Sequence, residues 1–358
     1  MKVTIKKQTL ENLVSSLNPY VDRRDLSSII SHIYLRASNG ILELKATDQE
    51  IGLEFFLTND IDIKEEGEAT ANGKSLQDII KGLKNGEITL ETNKDTLIVK
   101  QNRSRFKIVM QKTSDFPNFP SIENKAKFEI NANLLSLGLK KVATCIEEKN
   151  PRTEFTGALI DIKKENISLV GSDGKKLSVF NLNIQNEKEF KIILPKRAII
   201  EVQKLFTNNI DIFYDDTMLI AKGENFLFYT KLINGRYADY EKVINIDFKN
   251  SVILNREKII EGIRTVNIIS EDIKITLNKN SIDFEALSLV GDEAKTQIDV
   301  DLNIENSYEL RLKYKNILDF LSTTNNENFE LKYNEVAMPI MLLCDDLKTV
   351  ITQINMVR

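Results

Sequence analysis

Few side chains in this sequence could do covalent or metal chemistry. The single histidine, His32, lies in the alternating run IISHIYL, and the two cysteines, Cys145 and Cys344, stand far apart without metal-ligand spacing. A lone histidine in a strand-like run reads as structural, and isolated cysteines read as buried free thiols. No Ser-His or Cys-His pair can be assembled, and no GxxxxGKS/T loop, GxGxxG or HExxH is present. The adjacent acids Asp215-Asp216 and Asp345-Asp346 are what remains for a carboxylate hydrolase. Neighbouring residues on a strand face opposite ways, so each pair makes a poor dyad, and both sit in turn-like stretches where acids are common. A binding protein with no metal and no cofactor is expected, not an enzyme.

The elements that carry these residues repeat. KSLQDIIKGL puts Leu76, Ile79, Ile80 and Leu83 on one helical stripe. RAIIEVQKLF does the same with Ile199, Val202 and Phe206, and KNILDFLSTT with Ile317, Phe320 and Leu321. Asp78, Glu201 and Asp319 share one offset, about 120 residues apart, a period that marks repeated domains and not a solenoid. An earlier strand and helix also recur, with stripes Leu10, Val14, Leu17; Leu135, Leu139, Val142; and Ile259, Ile263, Val266. Asn131 or Asn133 and Asn255 are expected N-caps of the later two. Hairpins follow each helix, the first turning at Asn39-Gly40. The pattern predicts an α+β chain of three tandem domains, each with two helices and roughly eight strands, over 1–121, 126–246 and 249–358.

At 358 residues and 42% hydrophobic content, each repeat can bury its own core. No apolar run approaches the roughly 20 residues that span a bilayer, and MKVTIKKQTL lacks the apolar stretch of a signal peptide. A cytoplasmic location without membrane contact is expected. The net charge of −4 argues only weakly against nucleic acid, because the position of charges matters more than their sum. Basic residues recur beside the helices: Lys6, Lys7, Arg23, Arg24 and Lys74; Lys140, Lys141, Lys196 and Arg197; Arg256, Lys258, Arg264, Lys313 and Lys315. Each alone reads as a solvated helix face. Together, if the helices line one surface, they suit a phosphate backbone without base readout.

RSRF (Arg103–Phe106), DFPN (Asp115–Asn118), GSDGKKL (Gly171–Leu177) and KLINGRYADY (Lys231–Tyr240), in this order along three repeats, resemble the bacterial sliding clamp, the beta subunit of the replicative DNA polymerase. The resemblance covers the whole chain. It implies a non-catalytic processivity factor: a head-to-tail homodimeric ring with its helices inside, encircling duplex DNA and tethering the polymerase and other replication and repair proteins. The implied partners are DNA, a second copy, a clamp loader and clamp-motif proteins. It places Arg24, Lys74, Lys149, Arg152, Lys196 and Arg197 toward DNA, and Phe106 and Ile108 against Ile268 and Ile269 in the dimer. It assigns a partner-peptide cleft to Phe155, Ser172, Gly174, Lys175, Lys176, Leu177, Lys242, Val243, Pro339, Ile354, Asn355, Met356, Val357 and Arg358. Several positions depart from the family pattern. Ile354 and Asn355 occupy usual Met and Pro places, Ala238 a proline place and Lys175 a histidine place, so an altered peptide preference is expected. Thr153 and Glu154 replace aromatics that stack on single-stranded DNA in some members. Without the resemblance, GSDGKKL reads as a turn between strands in preference to a binding site, and a repeat scaffold that binds only proteins stays open.

Overall fold

The structure, a computed structural model, describes residues 1–25, 27–206 and 210–354. Its strands pair antiparallel into sheets of five, eight, eight and four. Its α-helices are α1 (Lys7–Leu17), α2 (Gly73–Gly82), α3 (Ala132–Ala143), α4 (Lys196–Leu205), α5 (Tyr240–Ile244), α6 (Arg256–Val266) and α7 (Tyr314–Ser322). None of the described helices is long and apolar enough to cross a membrane. Among the described residues the first repeat holds nine strands and each later one eight, with two long helices apiece and the short α5 added at the end of the second.

The predicted helical stripes are the buried faces. Leu10, Val14 and Leu17 of α1, Leu135, Leu139 and Val142 of α3, and Ile259, Ile263 and Val266 of α6 are all buried. Such a side chain contributes about 1.5–3 kcal/mol on leaving water, so each stripe is enough to fix its helix on a sheet. Asn255 caps α6 by accepting from Lys258 N at 3.1 Å, as expected. Asn72, unforeseen, caps α2 through Ser75 N at 3.1 Å. Asn39 and Gly40 both have positive φ (52° and 76°), the conformation that a two-residue hairpin turn demands.

The contacts group the chain into two compact units that cut across the repeats. One is built from the described residues of Met1–Asn131 and Asn208–Lys231, the other from those of Ala132–Thr207 and Leu232–Arg358. In the first unit a five-stranded sheet runs Ile61–Glu65, Lys2–Lys6, Glu87–Asn93, Thr96–Gln101, Ser104–Val109. Beside it, α1 and α2 pack together. The eight-stranded sheet runs Ala126–Phe128, Asp211–Tyr214, Met218–Lys222, Phe226–Lys231, Ile51–Leu57, Ile41–Thr47, His32–Ser38, Gly67–Asn72. Strands of two repeats thus join where Phe226–Lys231 meets Ile51–Leu57, with Tyr229 opposite Gly52. A Cβ at Gly52 would lie 2.3 Å from the Tyr229 ring, so the aromatic can lie there only over a glycine. Phe119 covers that ring edge to face at 5.0 Å. The Tyr229 hydroxyl meets Thr47 Oγ1 at 2.6 Å, and Thr47 in turn donates to Ile51 O at 2.8 Å.

The second unit repeats the plan. Its eight-stranded sheet runs Phe190–Pro195, Gly157–Ile162, Ile167–Ser172, Lys176–Leu182, Leu347–Ile351, Ile340–Cys344, Asn328–Tyr333, Asn250–Asn255. The junction between repeats falls where Lys176–Leu182 meets Leu347–Ile351. The four-stranded sheet runs Glu293–Asp299, Ser281–Leu287, Asp272–Leu277, Tyr308–Lys313. Helix α3 packs on α4, and α6 on α7. Gly138 and Gly262 hold the same place in α3 and α6, where a Cβ would reach 2.3 Å from Leu169 and 2.2 Å from Phe284. The close helix-to-sheet approach is therefore part of the repeat.

Candidate binding surfaces

The second junction carries an apolar floor. Leu159, Val170, Leu177, Val179, Ile193 and Tyr240 form one buried cluster, with Ile233, Tyr237, Val243 and Ile244 half-buried against it. Helix α5, which supplies Tyr240, Val243 and Ile244, packs on both Lys176–Leu182 and Leu347–Ile351. Phe155 is buried and meets Tyr237 edge to face at 5.5 Å. The Arg152 guanidinium lies 4.2 Å from the Phe155 ring centre and is held by Glu154 at 2.8 Å. Burial pushes the Tyr237 hydroxyl above its ordinary pKa, so it stays neutral.

GSDGKKL is a turn, and the turn presents the cleft residues. Ser172 Oγ donates to Lys176 O at 2.9 Å and accepts from Gly174 N at 3.0 Å. Asp173 Oδ1 accepts from Lys175 N and Lys176 N, both at 2.8 Å. Gly174 takes φ +90°, a backbone conformation that side chains disfavour. The result leaves Lys175 exposed, Ser172 buried and Leu177 in the floor. Lys176 turns inward instead: it is 7% exposed and bonds Asp319 of α7 at 2.5 Å. It ties the second and third repeats together.

The chain end is fastened beside this turn. Thr352 N donates to Lys175 O and Ile354 N to Arg311 O, each at 2.9 Å. Buried Gln353 accepts from Arg311 N at 3.0 Å and donates to Met338 O at 2.7 Å. Pro339 and Ile354 are half-buried, while Lys242 is exposed and pairs with Asp239 at 3.0 Å. Asn355, Met356, Val357 and Arg358 lie outside the described residues. The sequence reading missed Tyr237, Tyr240 and Ile244 as cleft-builders. Their signal was the spacing of Tyr240, Val243 and Ile244 in GRYADYEKVI, the i, i+3, i+4 stripe of one helix turn.

The basic candidates differ in availability. Arg24 is exposed and forks onto Asp22 at 2.9 Å; Lys74, Lys149, Arg152 and Arg197 are exposed. Lys196 is half-buried and donates to Ile146 O at 2.8 Å. Lys7 is buried and paired with Glu11, and Arg256 donates to Leu321 O at 3.1 Å. Lys74, Lys196, Arg197, Arg256, Lys258 and Lys315 fall in the first turns of their helices. A cation there opposes the helix dipole by about 0.3–1 kcal/mol, so helix stability does not account for the recurrence.

Two of the sheet-edge strands concern the residues assigned to the dimer. Ser104–Val109 ends the five-stranded sheet and exposes Phe106 (38%) and Val109 (73%). Glu293–Asp299 ends the four-stranded sheet. Ile268 is 84% exposed and Ile269 half-buried. Ile108 is 6% exposed, its side chain committed to its own sheet. The thiols are structural: burial raises Cys145 to about 11, and its Sγ lies 3.0 Å from Ser178 Oγ, which meets Thr349 Oγ1 at 2.6 Å across the junction. Asp215 Oδ1 accepts from Thr217 N and Met218 N, a turn-forming role.

Repeated helix-and-sheet domains joined through their sheets, with a basic set of helix starts and an apolar floor at the second junction, define the class of DNA clamps. Comparison with known proteins agrees. The DNA polymerase III beta subunit N-terminal domain profile matches residues 1–120, and the central domain profile matches 129–239. The Beta sliding clamp of Helicobacter pylori strain J99 is 38% identical over 351 residues, covering 96% of this chain and 94% of that protein. A crystal structure of the Helicobacter pylori beta clamp bound to a DNA ligase peptide superposes with a TM-score of 0.92 at 36% identity, over 99% of this chain and 100% of that one. The DNA polymerase III beta subunit of Pseudomonas aeruginosa shares the fold with a TM-score of 0.92 at 24% identity, over 99% and 100% of the two chains. The chain belongs to the beta sliding clamp family, the non-catalytic processivity subunits of bacterial DNA polymerase III.

Proposed function

We propose that two copies of this chain close head to tail into a ring around duplex DNA and tether replication and repair proteins there, in the cytoplasm. The rule by which repeats join carries the reading. The fourth strand of the first repeat (Ile51–Leu57) pairs with the last strand of the second (Phe226–Lys231), and the fourth strand of the second (Lys176–Leu182) with the last of the third (Leu347–Ile351). The fourth strand of the last repeat, Glu293–Asp299, and the last strand of the first repeat, Ser104–Val109, are the two left over, and both are edges. Joining them between chains continues the rule, with Arg105 and Lys107 available to Glu293 and Asp299. Phe106 and Ile268 supply the exposed apolar anchors, Ile269 backs them, and Ile108 takes part through its backbone. Two such junctions close a ring of six domains, with limits at 1–121, 126–246 and 249–358. Closure answers the hazard of head-to-tail contacts, which otherwise grow into filaments.

Inside such a ring, Arg24, Lys74, Lys149, Arg152, Lys196 and Arg197 face the phosphates, their charge adding to the positive helix starts. The cleft over Leu177, with Phe155, Ser172, Gly174, Lys175, Val243, Pro339 and the chain end, takes a short apolar peptide of a partner. The Helicobacter pylori relative captured with a DNA ligase peptide supports that use. Lys176 and Lys242 act from behind the cleft, through Asp319 and Asp239. Particle images test the assembly: a six-lobed ring with a central hole is expected. The double change Ile268→Ala, Ile269→Ala should leave folded monomers in sedimentation, since anchors of this kind contribute about 2 kcal/mol or more each. A double variant that stays dimeric at low concentration moves the interface elsewhere.

A further inference from the structure

Helix α5 is five residues long, too short to hold itself as a helix, yet it forms one side of the cleft through Val243 and Ile244. Its position therefore depends on ties from outside. The innermost is a hydrogen bond from the Tyr240 hydroxyl to Asp161 Oδ2 at 2.8 Å. Asp161 lies in the strand Gly157–Ile162 and is 1% exposed. The same oxygen takes Lys191 Nζ at 3.0 Å, with Lys163 Nζ at 3.9 Å, while its second oxygen is buried without a hydrogen-bond partner. Lys163 adds an outer tie: it pairs with Glu241 of α5 and lies 5.6 Å from the Tyr240 ring centre. A buried carboxylate with all its donors on one oxygen has a single arrangement to offer, and Tyr240 is the donor that comes from the cleft wall.

We infer that Asp161 and Tyr240 are positioning residues of the peptide cleft: their buried hydrogen bond, backed by Lys163 and Glu241, sets the place of α5 and so the affinity for partner peptides. The inference rests on the reading of this cleft as a peptide site. Neither residue touches the peptide. The Tyr240 ring lies within the apolar floor and its hydroxyl reaches Asp161, two residues along the strand from Leu159 of that floor, so the hydroxyl can be removed without emptying the floor. Once it is removed, a charged acceptor loses its short donor, and α5 keeps only packing and the Lys163 pair. A hydrogen bond to a charged group is strong enough for its loss to weaken peptide binding by about three- to tenfold.

The test titrates the full-length protein with a synthetic pentapeptide that starts with glutamine and ends in leucine-phenylalanine, well below the melting temperature of every variant. Tyr240→Phe should weaken binding about three- to tenfold, with retention on duplex DNA unchanged. Asp161→Asn keeps an acceptor and should stay within about twofold of the parent. Lys163→Met, at a partly exposed site, should weaken binding by about two- to threefold and keeps the test alive if Tyr240→Phe fails to fold. A parent protein that binds the peptide while Tyr240→Phe and Lys163→Met bind it equally well overturns the positioning role and leaves the cleft intact. A lower melting temperature with unchanged affinity does the same, because it marks a purely structural bond. A parent protein that does not bind the peptide overturns the cleft reading itself.

Discussion

The two sheet junctions follow one backbone recipe and end differently. In the first unit the segment that ends the first repeat lays Phe119 over Tyr229, and the tyrosine hydroxyl is consumed by Thr47. Phe116 is buried against Tyr34, and the Lys45 ammonium sits 5.0 Å and 5.5 Å from the Tyr34 and Phe119 rings. That junction is sealed by its own chain. In the second unit the matching segment winds into α5 and leaves Tyr237, Val243 and Ile244 half-buried over Leu177. The strands decide that repeats join; the segment that ends a repeat decides whether the joint is sealed or left with half-buried apolar side chains.

Breaking the sealed junction should cost stability and spare binding. Tyr229→Ala removes a buried ring and leaves Gly52 facing a void, which should lower unfolding free energy by about 3–5 kcal/mol in denaturant titration. Affinity for the glutamine-to-leucine-phenylalanine pentapeptide should not change, and a parallel loss of affinity would mean the two junctions are not independent. At the second junction the balance reverses. Leu177→Ala should weaken the same peptide by about tenfold, with a smaller loss of stability of about 2 kcal/mol, because part of its surface serves the ligand.

Smaller effects sharpen the picture of what is structural. Burial holds His32 below its ordinary pKa, and its Nδ1 is buried without a partner. The unfolded chain then binds more protons than the folded one just below pH 6.5, so this stabilisation is complete above about pH 6.5 and declines as pH falls. Melting curves between about pH 7 and pH 5 should show that decline, flattened in His32→Asn. Cys145 and Cys344, both raised by burial, should resist alkylation at pH 8 in the folded protein and react in denaturant.

Much of the fold was legible because its signals are periodic. The stripes of α1, α3 and α6 and the Asn39-Gly40 turn each rest on a local rule that the folded chain obeys. The units did not announce themselves, since a sheet that runs from Phe226–Lys231 into Ile51–Leu57 joins segments far apart in sequence. The cleft was half legible. GSDGKKL showed its turn chemistry, and only the resemblance tied it to Phe155 and Val243. Lys176 carried no sign that it would turn inward to Asp319, nor Lys196 that it would satisfy the Ile146 carbonyl, because a partner distant in sequence leaves no mark on a residue's own neighbours. The tie of the Tyr240 hydroxyl was hidden for the same reason: its partner, Asp161, lies 79 residues away, on the strand that supplies Leu159 to the floor.

The central claim is that the ring holds DNA by enclosing it. Protein loaded by a clamp loader onto a closed circular duplex should persist at a salt concentration that removes it from linear duplex, since phosphate contacts weaken as salt rises and a closed ring does not depend on them. Cutting the circle once should then release it. Release on cutting is the result the account predicts; equal retention on cut and closed DNA would contradict it.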